Sequence, residues 1–173
     1  MSIHIIIDGY NLIRQSNTLS IIDHQDIQLG REALIDRLVA YQKIKHHMIT
    51  VVFDGTNAPS FSQRKNRVQG ITVKFSRSGE VADAVIKRMV SREKEKALVV
   101  SSDLDIVNFA KAKGAAVISS TDFEEKISQA LYMEIKGGEP KEETGWVPTT
   151  KKKGPSKRLS KRKRRDRNKI RKL

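Results

Sequence analysis

Residues 3–9 read Ile-His-Ile-Ile-Ile-Asp-Gly, a nearly continuous β-branched run that stops at an aspartate and a glycine. A run this apolar is a strand buried on both faces, since a half-exposed strand would alternate with polar residues, and Asp-Gly marks the turn at its carboxyl end. The pattern recurs downstream. Residues 49–53 run into Asp54-Gly55, residues 97–101 lead to Asp103, and residues 71–75 and 115–118 are two more apolar runs. Between them lie segments of helical period. Ala33, Leu34, Leu38 and Tyr41 share one face over residues 30–45, and Val81, Ala82, Val85, Ile86, Met89 and Val90 do so over 79–92. Residues 104–113 are helical with Gly114 as the stop, and Thr121 with Glu124 resembles a capping box opening a helix over 121–135. Residues 56–70 are polar and read as a loop.

Strands alternating with helices predict a three-layer α/β/α fold with a central parallel sheet of about five strands. In such sheets ligands bind beyond the carboxyl ends of the strands. That end carries Asp8, Asp54 and Asp103, with Asp105 two residues on, while Glu80 and Asp83 sit three apart on one helix edge. Any single Asp-Gly is most simply a turn; carboxylates on several strand ends are harder to explain that way. Clustered carboxylates repel unless a cation neutralises them, and an all-oxygen set without cysteine favours Mg²⁺ or Mn²⁺ over Zn²⁺. The four histidines (His4, His24, His46, His47) show no catalytic pattern.

Charge divides the chain. Of 34 Lys+Arg and 20 Asp+Glu, residues 141–173 hold 15 bases and 3 acids, leaving 19 bases and 17 acids for residues 1–140. The expected organisation is a near-neutral domain over 1–138 and a basic, disordered tail over 139–173. Within that tail Lys161, Arg162, Lys163, Arg164 and Arg165 form a run suited to a polyanion, RNA or the ribosome, bound through counterion release. Trp146 lies in the linker before it, with no role assigned. In the domain, Arg64, Lys65, Arg67, Lys74 and Arg77 would take backbone phosphates if the loop overhangs the site, with Tyr10 and Phe61 as the nearby aromatics; a solvated basic loop is the alternative of about equal weight. The absence of cysteine excludes disulfides and thiolate chemistry, and no apolar run approaches membrane-spanning length, so a cytoplasmic protein without a membrane partner is expected. The first residues read as a strand and not as a signal peptide.

Three stretches carry a family resemblance. Residues 5–13 (Ile-Ile-Ile-Asp-Gly-Tyr-Asn-Leu-Ile) resemble the opening of the YacP-type NYN nucleases of the PIN-like superfamily. Residues 79–83 (Gly-Glu-Val-Ala-Asp) are similar to that family's Gly-Glu-Thr-Ala-Asp helix start, with Val81 where threonine is usual, and residues 99–103 (Val-Val-Ser-Ser-Asp) to its fourth-strand motif. The resemblance implies a PIN-like fold and a Mg²⁺- or Mn²⁺-dependent endoribonuclease. Asp8, Asp83 and Asp103 would be the core metal ligands, and Asn11 would orient Asp8 or a water. Glu80 would be an outer ligand and Asp54 a supporting acid. Asp105 suits the wider PIN pattern, and Asp122 is explained more cheaply by a helix cap. Attack of water in line on phosphorus would leave a 5′-phosphate. The rival expectations are a PIN-like RNA- or ribosome-binding protein without catalysis and a phosphotransfer enzyme. The latter lacks its Asp-x-Asp after the first strand, and no phosphate-binding glycine loop is present.

Overall fold

Five apolar runs form strands, as their β-branched content dictates, and one polar run joins them. In the computed structural model, which describes residues 3–55, 65–137 and 160–173, the strands are β1 (His4–Asp8), β2 (Met48–Phe53), β3 (Lys65–Val68), β4 (Ile71–Phe75), β5 (Ala97–Val100) and β6 (Ala116–Ile118). They build one sheet in the order β3-β4-β2-β1-β5-β6, parallel throughout except for β3, which runs antiparallel to β4. The sheet is thus mixed and six-stranded, one strand more than expected. The extra strand lies in the segment read as loop, because an edge strand packs too little to need an apolar run and Val68 is its sole apolar residue. Gln69 and Gly70 close the β3–β4 hairpin with φ of 45° and 97°, the two positive values that a tight two-residue turn requires.

The helices are α1 (Gly9–Gln15), α2 (Asn17–Gln25), α3 (Ile27–Lys45), α4 (Ala82–Glu93), α5 (Leu104–Ala112), α6 (Ser120–Ile135) and α7 (Lys161–Arg171). Side-chain caps set the breaks between the first three. Ser16 accepts from the Leu19 N–H and Asp26 from those of Gln28 and Leu29. The cap of α6 is Ser119, which accepts from the Asp122 N–H at 3.1 Å, two residues ahead of the predicted Thr121 box. Glu124, assigned to that box, instead pairs with Arg37 of α3 at 3.0 Å. Alternation along the strands sends Ile5, Ile7, Val51, Phe53 and Leu98 to one face, under α1, α3 and α6, and Ile6, Val52 and Val99 to the other, under α4 and α5. The expected three layers are present.

The end of the tail departs from expectation: it is a docked helix and not a disordered chain. Ile170 and Leu173, three apart, give α7 an apolar edge that joins the core under α3, with Leu173 3% exposed. The Tyr41 hydroxyl donates to the Leu173 carbonyl at 3.0 Å, Arg165 pairs with Glu95, and the Lys169 ammonium reaches the carbonyls of Glu95 and Ala97. Mean composition hides such an edge, because two well-placed apolar residues hardly change it. His47 and Ala97 stand at the amino ends of β2 and β5, so α7 lies across the end of the sheet opposite the aspartates. The expected boundary at 138, with Arg64, Phe61 and Trp146, falls outside the described residues. No described helix is long and apolar enough to cross a membrane.

Candidate active site

Asp8 is at once the last residue of β1 and the cap of α1, so rigid backbone on both sides fixes its carboxylate. One oxygen accepts from the Asn11 N–H at 3.2 Å and the other from the Ser101 hydroxyl at 3.2 Å. Ser101, fully buried at the end of β5, also accepts from the Asp103 N–H at 3.1 Å and so ties the two acids together. Asp103 caps α5, accepting from the N–H groups of Asp105 (2.7 Å) and Ile106 (3.3 Å). Asp83 enters from the first turn of α4.

These three acids feel one another. Burial pushes the Asp8 carboxyl up to about 6; the Asn11 N–H and the Ser101 hydroxyl oppose that, and the carboxylates of Asp83 and Asp103 reinforce it. Asp83 is also raised, by burial first and then by Asp103 and Asp105. Lys87, one turn after Asp83 on α4, is the local counter-charge. It pairs with Asp105, and its pKa is raised by that bond and by the pull of Asp105, Asp83 and Asp103.

Other expected members are placed differently. Glu80 is turned to Arg88 at 2.7 Å and accepts from the Arg77 N–H, and the Arg88 bond holds its pKa down, so it stands outside the mutually repelling set. Asn11 does not orient Asp8 through its side chain. Its amide oxygen accepts from the Ser102 N–H (2.9 Å) and the Ser120 hydroxyl (2.7 Å), lacing the ends of β1, β5 and the start of α6. Asp105 sits at the rim, largely exposed. Arg67 is exposed on the edge strand, Arg77 is exposed before α4, and the Lys74 ammonium lies 3.5 Å from the Met89 sulfur. Lys65 begins β3. Lys161, Arg162, Lys163, Arg164 and Arg165 belong to α7, at the far end of the sheet.

Two residues went unread in the sequence. Ser101 was visible only as a hydroxyl before the aspartate. Arg31 is 3% exposed; its Nε donates to the Tyr10 hydroxyl at 2.8 Å, and its guanidinium packs against the rings of Tyr10, Phe53 and Phe75 at 5.4–5.9 Å. Its position three and seven residues before Leu34 and Leu38, on the apolar stripe of α3, was the available signal. A buried guanidinium among aromatic rings beside α1 stiffens the wall next to Asp8.

For a divalent ion the donor chemistry fits: hard oxygens, no thiolate, and two acids raised by burial and by neighbouring carboxylates that a cation would quiet. The set is open and not a finished cage. Among the described residues no three acidic or histidine side chains converge closely enough to hold a metal.

The six-stranded α/β/α architecture with acids at its carboxyl edge is that of a nuclease-like, PIN-like fold by the family it matches. The chain belongs to the YacP-like NYN domain family, whose model matches residues 5–172, a span that includes α7. Two crystal structures of Rae1 (YacP) from Bacillus subtilis, one of them a point mutant, resemble it. The unmutated form gives a TM-score of 0.65 at 22% identity, covering 79% of this chain and 79% of that one. The mutant gives 0.64 at 22% identity, covering 79% and 80%. No curated protein matches the chain in sequence.

Proposed function

We propose that the chain is a metal-dependent ribonuclease that hydrolyses RNA phosphodiester bonds internally, with Asp8, Asp83 and Asp103 holding Mg²⁺ or Mn²⁺. The observation that carries this reading is that Ser101 ties the buried Asp8 to Asp103 at the ends of β1 and β5, with Asp83 near enough for its charge to be felt by Asp8. A polyanion has no use for such a patch unless a cation joins it there. When bound, the ion would activate the attacking water and neutralise charge on the scissile phosphate. The chain's own groups do the rest. Ser101 fixes the spacing of Asp8 and Asp103, and Asn11 holds the ends of two strands in register. Lys87 supplies the patch with a partial counter-charge, and the basic residues outside it take neighbouring phosphates.

Membership in the NYN family supports RNA as substrate. A second reading, an RNA- or ribosome-binding protein without catalysis, draws on one observation: Lys87 already supplies a positive charge to an open acid set. Titrating Mn²⁺ into a labelled-RNA cleavage assay separates the two. Cleavage that rises with metal and disappears in Asp8→Asn and Asp103→Asn supports the enzyme; a wild type inert at every metal concentration, yet binding RNA, supports the binder.

A further inference from the structure

A groove of about 960 Å³ opens between α7 and the Lys94–Lys96 turn, at the amino end of the strands. Its cations outnumber its acids, and the acids are spoken for: Glu93 is bonded to His4 at 2.6 Å and Glu95 to Arg165. Two cations hold the helix in place, Arg165 through Glu95 and Lys169 through backbone carbonyls. The others are exposed. Lys161, Arg164, Arg167 and Arg171 recur along α7, and Lys94 and Lys96 line the groove from the turn, none in a direct ion pair or side-chain hydrogen bond among the described residues. Like charges three and four apart weaken a helix in water, so α7 concentrates positive charge that its own fold does not neutralise. The single acid of the helix, Asp166, does not offset them.

We propose that this groove binds the phosphodiester backbone of RNA and grips a different segment from the one presented to the acids; the second half of the statement rests on the proposed nuclease function. The separation follows from the sheet. His4, Met48 and Ala97 are neighbours at one end of β1, Asp8 is at the other, and four residues of strand span roughly 13 Å before side chains are added. α7 itself runs about 15 Å along its axis, long enough to lie beside several phosphates of one strand. Among the described residues no aromatic side chain lines the groove and Asn168 is its one amide against nine cations, so its recognition is of charge and not of base.

The test uses the full chain and the quadruple variant Lys161→Gln, Arg164→Gln, Arg167→Gln, Arg171→Gln, which leaves Arg165, Lys169 and Leu173 to hold the helix. Binding of a fluorescein-labelled single-stranded oligoribonucleotide is measured in EDTA over a salt series. The variant is expected to bind at least about tenfold more weakly at low salt, with the log–log salt slope reduced by about 3. Replacing the three arginines by lysine should restore most of the loss, since charge is what is read. An unchanged affinity and slope overturns the proposal. Asp8→Asn serves as the control for the nuclease reading: it should bind RNA in EDTA like wild type while losing cleavage. In Mn²⁺ the quadruple variant should cut a short oligonucleotide normally and a long RNA with lower kcat/KM; equal losses on both would refute the separation of segments.

Discussion

Ionised Asp8 is costly to this fold, and that cost can be read directly. Its carboxyl is raised from 3.8 to about 6 in the folded protein, a shift worth about 3 kcal/mol. The sign is fixed by the unfolded chain, which ionises near its ordinary value. Below about pH 4 both states are protonated and the group contributes nothing. Between pH 4 and 6 the folded state holds the extra proton, so stability falls as pH rises, and above pH 6 the whole penalty is present. In Asp8→Asn the penalty is gone. The Asn11 N–H keeps its acceptor, but the bond from the Ser101 hydroxyl is lost or reversed, at about 1 kcal/mol. The variant should therefore be less stable than wild type by about 1 kcal/mol at pH 4 and more stable by about 2 kcal/mol at pH 8, a rise in Tm of roughly 4–8 °C. Urea titrations at pH 4, 6 and 8 in EDTA give both numbers. If the two proteins keep a constant stability difference across that range, Asp8 is not held in a repelling, buried environment and the site as described is wrong.

Two other perturbations bear on separate parts of the structure. Lys87→Met removes the cation that already sits with Asp83, Asp103 and Asp105, so Mn²⁺ measured by calorimetry should bind more tightly, by several-fold; weaker binding would mean that the ion does not enter this patch. Leu173→Ala empties a buried contact between α7 and α3 and should cost about 2 kcal/mol by thermal denaturation, whereas no change would mean that the helix is not held by its apolar edge.

The strands and the acids at their ends were legible because a doubly buried strand writes itself as an apolar run, and its exit turn needs a polar residue. Asp8 and Asp103 were visible this way and Asp83 from the helix edge it shares with Glu80, and in the structure Asp8 and Asp83 each feel the charge of Asp103. What the sequence concealed depends on partners distant in the chain. Glu80 shares a helix edge with Asp83, yet Arg88 decides where it points. The amide of Asn11 looks free to serve Asp8 until Ser102 and Ser120 are brought up from 91 and 109 residues away. Strand β3 is too polar, and α7 too charged, for composition to reveal that one pairs and the other docks.

Acids at one end of the strands and uncompensated cations at the other give the molecule a lengthwise electric moment. Long before contact, at separations of a Debye length or about 8 Å in physiological salt, the field of a nucleic acid turns the basic end toward it. If the acids hydrolyse RNA as proposed, first arrival is thereby aimed at the wrong pole for the reaction. A fragment too short to bend back would linger there as an unproductive passenger, whereas a long or folded strand can feed its distal part to the acids. Selection by length then needs no reading of bases at all.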